Sequence, residues 1–88
     1  MMKRYRVQGD PNIDRIGHDS GTQTVEIRFF SSPPEVMHFW NVPDNVFEDF
    51  YTAHSKSGYY QEHIKNGDYN KRPADDADPD NEQDYAVI

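Results

Sequence analysis

The stretch that decides the fold is residues 24–40, which read TVEIRFFSSPPEVMHFW. From Val25 to Phe29 every second side chain is apolar, and this period of two is typical of a strand with one buried face. Residues 31–34 predict a turn, because proline has no N–H group to donate to a neighbouring strand. Residues 36–40 are rich in β-branched and aromatic side chains, which favour a further strand. The stretch therefore predicts two adjacent antiparallel strands.

The chain on the N-terminal side of this stretch predicts one more strand. Residues 12–18 contain Ile13 and Ile16 and are separated from residue 24 by the sequence DSGTQ. Asp, Ser and Gly readily adopt turn conformations, so this segment predicts a hairpin. Three strands joined by short turns form an antiparallel meander.

The chain on the C-terminal side predicts a helix that begins near Pro43, since proline suits a first helical turn whose N–H groups have no partner. The apolar side chains that follow lie one, three and four residues apart and form a single stripe: Val46, Phe47, Phe50 and Tyr51. The stretch Ser55-Lys56-Ser57-Gly58 is expected to interrupt the helix, because Gly58 can adopt a left-handed conformation. Residues 59–65 leave room for a short second helix. The expected fold class is α+β, with a three-stranded antiparallel meander followed by one helix and this second short one.

The negative charge of the chain is concentrated near its C-terminal end. The formal net charge is −7, yet the first 72 residues hold all nine basic residues and ten of the 16 acidic ones. The last sixteen residues contain no base and six acids: Asp75, Asp76, Asp78, Asp80, Glu82 and Asp84. Like charges, two prolines and few apolar side chains keep such a segment solvated. We therefore expect a folded domain over residues 1–72 and a disordered acidic tail over residues 73–88.

Composition and motifs also argue against several classes of protein. The absence of cysteine from an 88-residue chain favours one domain in a reducing, cytoplasmic setting. No apolar run follows the basic N-terminal residues, so neither a signal peptide nor a membrane span is expected. The sequence has no nucleophile motif, and its four histidines lack the close spacing of zinc ligands. We expect no enzyme activity, no cofactor and no metal.

Several short motifs, taken in order, resemble the KTSC family. Residues 12–19, NIDRIGHD, resemble its opening S-x-I-x-x-I-G-Y-D, and residues 25–29, VEIRF, resemble its L-x-V-x-F strand. Residues 41–47, NVPDNVF, are similar to its V-P-x-x-V-[YF] helix start. Residues 55–69 are similar to its closing S-x-G-x-[YF]-[YF]…I…Y. The family is named for a C-terminal piece of some lysyl-tRNA synthetases and also occurs as small bacterial and phage proteins. The resemblance implies an RNA-binding role and no catalytic activity.

The sequence departs from the KTSC pattern at two places. The family's Y-x-Y is Met37-His38-Phe39 here, so both phenolic hydroxyls are absent. The glycine expected two residues after Ser55 is replaced by Ser57, and Gly58 follows one place later. If the two hydroxyls hold a ligand that the family shares, this chain cannot hold it in that way.

The candidate binding residues are aromatic and basic. A sheet covered on one face leaves its other face to solvent, and Phe30 and Arg28 are expected to point outward together. Either Met37 with Phe39 or His38 with Trp40 forms the outward set of the third strand. Aromatic side chains interleaved with basic ones are typical of surfaces on which single-stranded nucleic acid stacks, whereas a buried Trp40 would pack beneath the N-terminal segment or a protein partner. The candidates on the domain are Arg28, Phe30, His38 and Trp40 on the sheet, and Lys3, Arg4 and Arg6 near the N-terminus.

Two functions remain open from the sequence. The first is a non-enzymatic module that binds RNA or another nucleic acid, as the resemblance implies. The second is a protein-binding inhibitor or adaptor whose acidic tail occupies a basic site on a target protein. A phage is one candidate source of such a protein. The tail is also a candidate competitor that folds back on the domain's own basic residues, an interaction that salt would weaken. The apolar end of the tail, Tyr85, Val87 and Ile88, is expected to lie outside the folded body, where it could add a strand to a partner's sheet.

Overall fold

The computed structural model describes residues 2–31, 33, 35–67, 69–74 and 86–88. Its described strands form a six-stranded mixed sheet with the order β5-β4-β3-β2-β1-β6. Every neighbouring pair is antiparallel except β1 and β6, which are parallel. The strands are β1 (Lys3–Arg6), β2 (Ile13–Asp19), β3 (Thr24–Phe29), β4 (Glu35–Trp40), β5 (Asn70–Ala74) and β6 (Ala86–Val87).

Two helices connect β4 to β5. Helix α1 (Asp44–Thr52) begins directly after Pro43, as the sequence predicts. Helix α2 (Lys56–Tyr59) continues without a break into a π-helical segment (Tyr60–Lys65). The helix is interrupted at residues 53–55, at the start of the expected stretch, whereas Gly58 lies inside α2 and is not in a left-handed conformation. Its N–H donates to Ser55 Oγ at 3.0 Å, and this bond caps the start of α2.

The helices cover one face of the sheet, which we call the helix face. Val25, Ile27 and Phe39 point to this side and are fully buried. Tyr60 connects the second helical segment to the sheet, with its ring centroid 5.2 Å from that of Phe29 and 5.9 Å from that of Phe39. The buried core cluster is Val7, Ile13, Ile16, Val25, Ile27, Phe39, Val42, Phe47, Phe50 and Ile64.

Asp10 joins the start of β2 to the start of α2. Its Oδ1 accepts hydrogen bonds from the backbone N–H groups of Asn12 and Ile13, both at 2.9 Å, and its Oδ2 accepts one from Ser57 N at 3.0 Å. Burial of the carboxyl opposes ionisation, but these three donors outweigh it and the pKa of Asp10 lies below its ordinary value. The charged carboxylate therefore holds the two elements together.

The α+β class is confirmed, and the three strands expected from the sequence correspond to β2, β3 and β4. The expected sheet was too small, because β1, β5 and β6 extend it on both sides. These added strands are short, and β1 and β5 are rich in charged and polar residues. No apolar alternation marks them in the sequence, so only their pairing with the meander reveals them.

The C-terminal residues differ from the expectation of a free end. Ala86 and Val87 pair with β1, Ile88 N donates to Arg6 O at 2.9 Å, and Ile88 packs against the core cluster. The expectation that Val87 and Ile88 lie outside the folded body is therefore wrong. The strand-forming residues of this end, which were expected to pair with a partner's sheet, pair with the edge of the chain's own sheet. On the other edge, β5 continues two residues past Arg72; residues 75–85, including Tyr85, lie outside the described residues.

Candidate nucleic-acid interface

All five arginines of the sequence project from the sheet face opposite the helices. The pairing register brings Arg6 beside Arg15 and Arg15 beside Arg28. A second row runs from Arg4 across Gly17, Glu26 and His38 to Arg72. The intervening residues of the same strands point the other way: Tyr5 packs on Phe47 and Tyr51 of α1, and Phe29 packs on Tyr60. We call this surface, formed by Arg4, Arg6, Arg15, Arg28 and Arg72, the arginine face.

Glu26 organises the centre of the arginine face. Arg4 Nε donates to Glu26 Oε1 at 2.9 Å, and His38 Nε2 lies 2.8 Å from Glu26 Oε2. Burial of this carboxyl raises its pKa, but the hydrogen bonds and charges of Arg4 and His38 outweigh burial, so the pKa of Glu26 lies below its ordinary value. The carboxylate is thus ionised at neutral pH and fixes both side chains.

Gly17 makes this arrangement sterically possible. It lies between Arg4 and Glu26 in the register, so the arginine side chain has to cross β2 to reach β3. A Cβ atom at position 17 would lie 3.2 Å from Arg4 Cγ and 2.9 Å from Met2 Sδ. Glycine therefore leaves the space through which Arg4 reaches its carboxylate.

A β-bulge brings Arg15 onto the same surface. The register of β2 and β3 shifts between Ile13 and Arg15, so Asp14 and Arg15 together face Arg28. Asp14 Oδ2 lies 3.4 Å from Arg15 Nε and 3.7 Å from Arg28 Nη1. The Arg15 and Arg28 side chains are only 13% and 14% exposed. They therefore contribute positive potential at fixed positions, whereas the exposed arginines can move to contact a ligand.

Trp40 extends the arginine face with an aromatic ring. The Arg72 guanidinium lies over this ring, with its carbon 4.7 Å from the centroid. Trp40 is half-buried, whereas Arg72 is exposed. The sequence left open which side chains of the third strand point outward. The structure places His38 and Trp40 on the arginine face, and Met37 and Phe39 on the helix face.

The other candidate residues are more dispersed. Phe30 is 57% exposed and directly follows the last residue of β3. Lys3 is separated from Arg4 and Arg6, because it pairs with His18 on the helix face. Val87 and Ile88 lie in or beside the edge strand β6. The N-terminal basic cluster read from the sequence is thus divided between two faces.

Arg15 and Arg72 belong to the arginine face, although no pattern in the sequence indicated them. Counting alternate residues from Ile13 would place Arg15 on the buried side, and only the bulge reverses its direction. Arg72 stood at the expected end of the domain, where no strand was predicted. The Lys-Arg pair at positions 71 and 72 was visible as charge, but its strand was not.

Tertiary structure separates the charges that cancel in the sequence. Among the described residues, three carboxylates lie on the same face by strand register, those of Asp14, Asp19 and Glu26. Exposed acids are instead carried by the helices on the opposite side: Asp44, Glu48, Asp49 and Glu62. The helix side also carries the exposed lysines Lys3, Lys65 and Lys71, so its charge is mixed, whereas the arginine face has an excess of basic groups.

These features define a small α+β domain with helices on one face of a sheet and arginines on the other. The sequence profile of the KTSC domain matches residues 11–69, and the chain belongs to this family. The chain is similar to a KTSC domain protein from Yersinia pestis whose crystal structure is known. The two share 27% sequence identity with a TM-score of 0.76, over 85% of this chain and 100% of the other. No curated protein matches the sequence.

The Y-x-Y departure concerns packing on the helix face of this chain, since Met37 and Phe39 both point there. The absent hydroxyls therefore do not alter the arginine face. In the part of the chain that the structure describes, no helix is long and apolar enough to cross a bilayer. Among the same residues, no three His, Asp or Glu side chains are grouped to hold a metal ion.

Proposed function

We propose that this KTSC domain is a non-catalytic module that binds single-stranded RNA on its arginine face. The observation that carries the proposal is the convergence of five arginines from four strands on one surface, together with Trp40 and His38. Guanidinium groups match phosphate oxygens in geometry and charge. Aromatic rings beside them offer stacking surfaces to unpaired bases.

The dimensions of the sheet suit a flexible single strand better than a rigid duplex. Neighbouring strands lie about 4.8 Å apart, so the arginine rows provide donors at short and regular intervals across a broad surface. No helix or hairpin projects from this face in the described residues to enter a duplex groove. Sheet surfaces with basic and aromatic side chains bind RNA in this manner in other folds.

A matched pair of variants tests the proposal. Arg6→Gln with Arg72→Gln removes two exposed charges from the arginine face, whereas Lys3→Gln with Lys71→Gln removes two from the same strands on the helix face. Binding of a labelled single-stranded RNA would be followed by fluorescence anisotropy between about 50 and about 200 mM salt. We expect the arginine variant alone to bind about tenfold more weakly, and its salt slope to become shallower by about 0.7 for each phosphate that it no longer neutralises.

In the same assay, Trp40→Ala should weaken binding, since stacking contributes about 1–3 kcal/mol per base. Circular dichroism and thermal melting of each variant would show that the fold is retained. Equal weakening by the arginine and lysine variants would contradict a specific face, and salt-independent binding would contradict phosphate recognition.

The second candidate function is a protein-directed adaptor or inhibitor, which the six acids of residues 75–84 support. Such a protein would be captured with its target from lysate whether or not nuclease is added. RNA binding predicts that capture falls after nuclease treatment. Capture with and without nuclease therefore distinguishes the two functions in one experiment.

A further inference from the structure

A shallow, open cavity of about 360 Å³ lies on the opposite side of the molecule, between β1, β2 and α1. Four of the side chains that line it carry rings: Tyr5, His18, Phe47 and Tyr51. The Tyr5 and Tyr51 rings meet edge to face at 5.0 Å, and Phe47 lies 6.3 Å from each of them. These contacts fix the aromatic walls in place.

Two carboxylates belong to the same cavity. Asp44 and Glu48 are four residues apart on α1, so they project from one side of the helix at neighbouring turns. Both residues are exposed, and neither is balanced by a lysine or arginine among the residues that line the cavity. The cavity therefore combines aromatic rings with negative charge.

His18 places a polar ring nitrogen at the inner end of the cavity. Its ring stacks on Phe47 at 4.3 Å with an interplanar angle of 7°. Its Nε2 atom is buried and makes no hydrogen bond within the described residues, although Asp44 Oδ1 is 3.3 Å away. This separation is within ion-pair distance, and the other oxygen and remaining lone pairs of the Asp44 carboxylate can still accept from another donor.

We propose that this cavity binds the guanidinium group of an arginine side chain in a polypeptide partner. Guanidinium is planar, stacks on aromatic faces and donates from several N–H groups to carboxylates. The rings of Tyr5, Phe47 and Tyr51 supply the stacking surfaces, while Asp44 and Glu48 supply the acceptors. An ammonium group is more strongly hydrated and would lose more on entering the ring-lined space.

The lining residues favour a peptide arginine over the free amino acid. Free arginine carries an α-carboxylate close to its side chain, and the described lining residues include no lysine or arginine to pair with it. Asp44 and Glu48 would repel that carboxylate. In a polypeptide the same position is an amide, which carries no charge. This site is separate from the arginine face and does not depend on RNA binding.

The test is an NMR titration of the ¹⁵N-labelled full chain with acetyl-arginine methylamide. We expect saturable shifts at the backbone amides of Tyr5, Phe47 and Tyr51, with affinity in roughly the millimolar range for a single residue. Glu48→Gln should weaken binding by about threefold to fivefold, as removal of one exposed charge pair would do. Asp49→Asn is the control, because Asp49 is exposed on the same helix and does not line the cavity.

Two further ligands test the chemical assignment. Acetyl-lysine methylamide, with its side-chain ammonium free, should bind more weakly than the arginine compound, and free arginine should also bind more weakly. Equal binding of the lysine compound would overturn the guanidinium assignment, and tighter binding of free arginine would overturn the polypeptide assignment. The proposal also fails if no saturable shift occurs at the three ring positions, or if Glu48→Gln and Asp49→Asn weaken binding equally.

Discussion

Glu26 illustrates how a single carboxylate shapes the candidate interface. It is 15% exposed and accepts from Arg4 across the side-chain-free position of Gly17, with His38 on its other oxygen. Without this carboxylate, the Arg4 guanidinium and the His38 ring would lose the acceptor that they share. Glu26 thus lowers the net positive charge of the arginine face by one, but it holds the central side chains of this face in fixed positions.

The lowered pKa of Glu26 predicts a pH dependence of stability. A carboxyl whose pKa is lower in the folded protein stabilises it above the unfolded value, near 4.5, and this contribution is lost as pH falls through the folded value. Glu26→Gln should therefore cost about 1–3 kcal/mol of unfolding free energy at pH 7, and the deficit should shrink below pH 4.5. Urea unfolding at pH 7 and at acid pH would measure this.

The control for this prediction is Glu35→Gln, which changes an exposed carboxyl on the adjacent strand β4. It should alter stability little at either pH. A Glu26→Gln protein that is as stable as the original at pH 7 would contradict the structural role of the carboxylate.

At the scale of elements, the C-terminal strand is the feature that departs most from expectation. β6 contains two residues, and a strand that short depends on its neighbours for stability. Here β1 and the residues just after it supply the backbone partners, since Ile88 N donates to Arg6 O at 2.9 Å and Gln8 N donates to Ile88 O at 3.0 Å. The apolar end closes the β1 edge of the sheet, where unpaired backbone groups would otherwise attract another chain.

This arrangement predicts that the two apolar residues at the C-terminus differ in importance. Ile88 packs against the core cluster, whereas Val87 is 58% exposed. Ile88→Ser should lower the melting temperature by about 4–8 °C, the shift expected for roughly 1 kcal/mol in a domain of this size. Val87→Ser should change it by less than half as much. Equal melting temperatures for the original and both variants, measured by circular dichroism, would show that β6 contributes nothing to the fold.

At the scale of the whole molecule, the arginines lie on one face of the sheet and the acids are concentrated in residues 75–84. The arginine face lies on one side, and the exposed acids of the helices lie on the other. The acidic residues 75–84 follow β5 and precede β6, which occupy opposite edges of the sheet. Residues 75–85 therefore connect two strands at opposite edges of the sheet.

This connectivity strengthens the hypothesis that the tail competes with RNA. Replacing Asp76, Asp78 and Asp80 by Asn should raise the affinity for RNA at low salt by more than the change in net charge alone. The control, Glu48→Gln with Asp49→Asn and Glu62→Gln, changes net charge equally but on the helix side. The gain should disappear at high salt, where exposed charges are screened. Equal gains from both triple variants in the anisotropy assay would rule out competition by the tail.

Local patterns in the sequence were sufficient for the meander and the first helix. The alternation from Val25 to Phe29 and the stripe from Val46 to Tyr51 each depend on neighbours within a turn or two of the chain. Side chains at these spacings point to one face of the strand or helix, so the apolar ones identify the face that is buried. The outward direction of Arg28 followed from the same alternation.

The candidate site depended on tertiary structure. The arginines of this site are far apart in the sequence, and strand pairing brings them onto one face: Arg4, Arg15, Arg28 and Arg72. The bulge beside Ile13 turns Arg15 toward this face, and the unpredicted strand β5 adds Arg72 to it. The direction of Trp40 and the docking of Ile88 were likewise decided by partners distant along the chain. Hydrogen-bond pairing between strands is non-local, and a one-residue change in register reverses every side chain, so no local pattern could determine which charges meet.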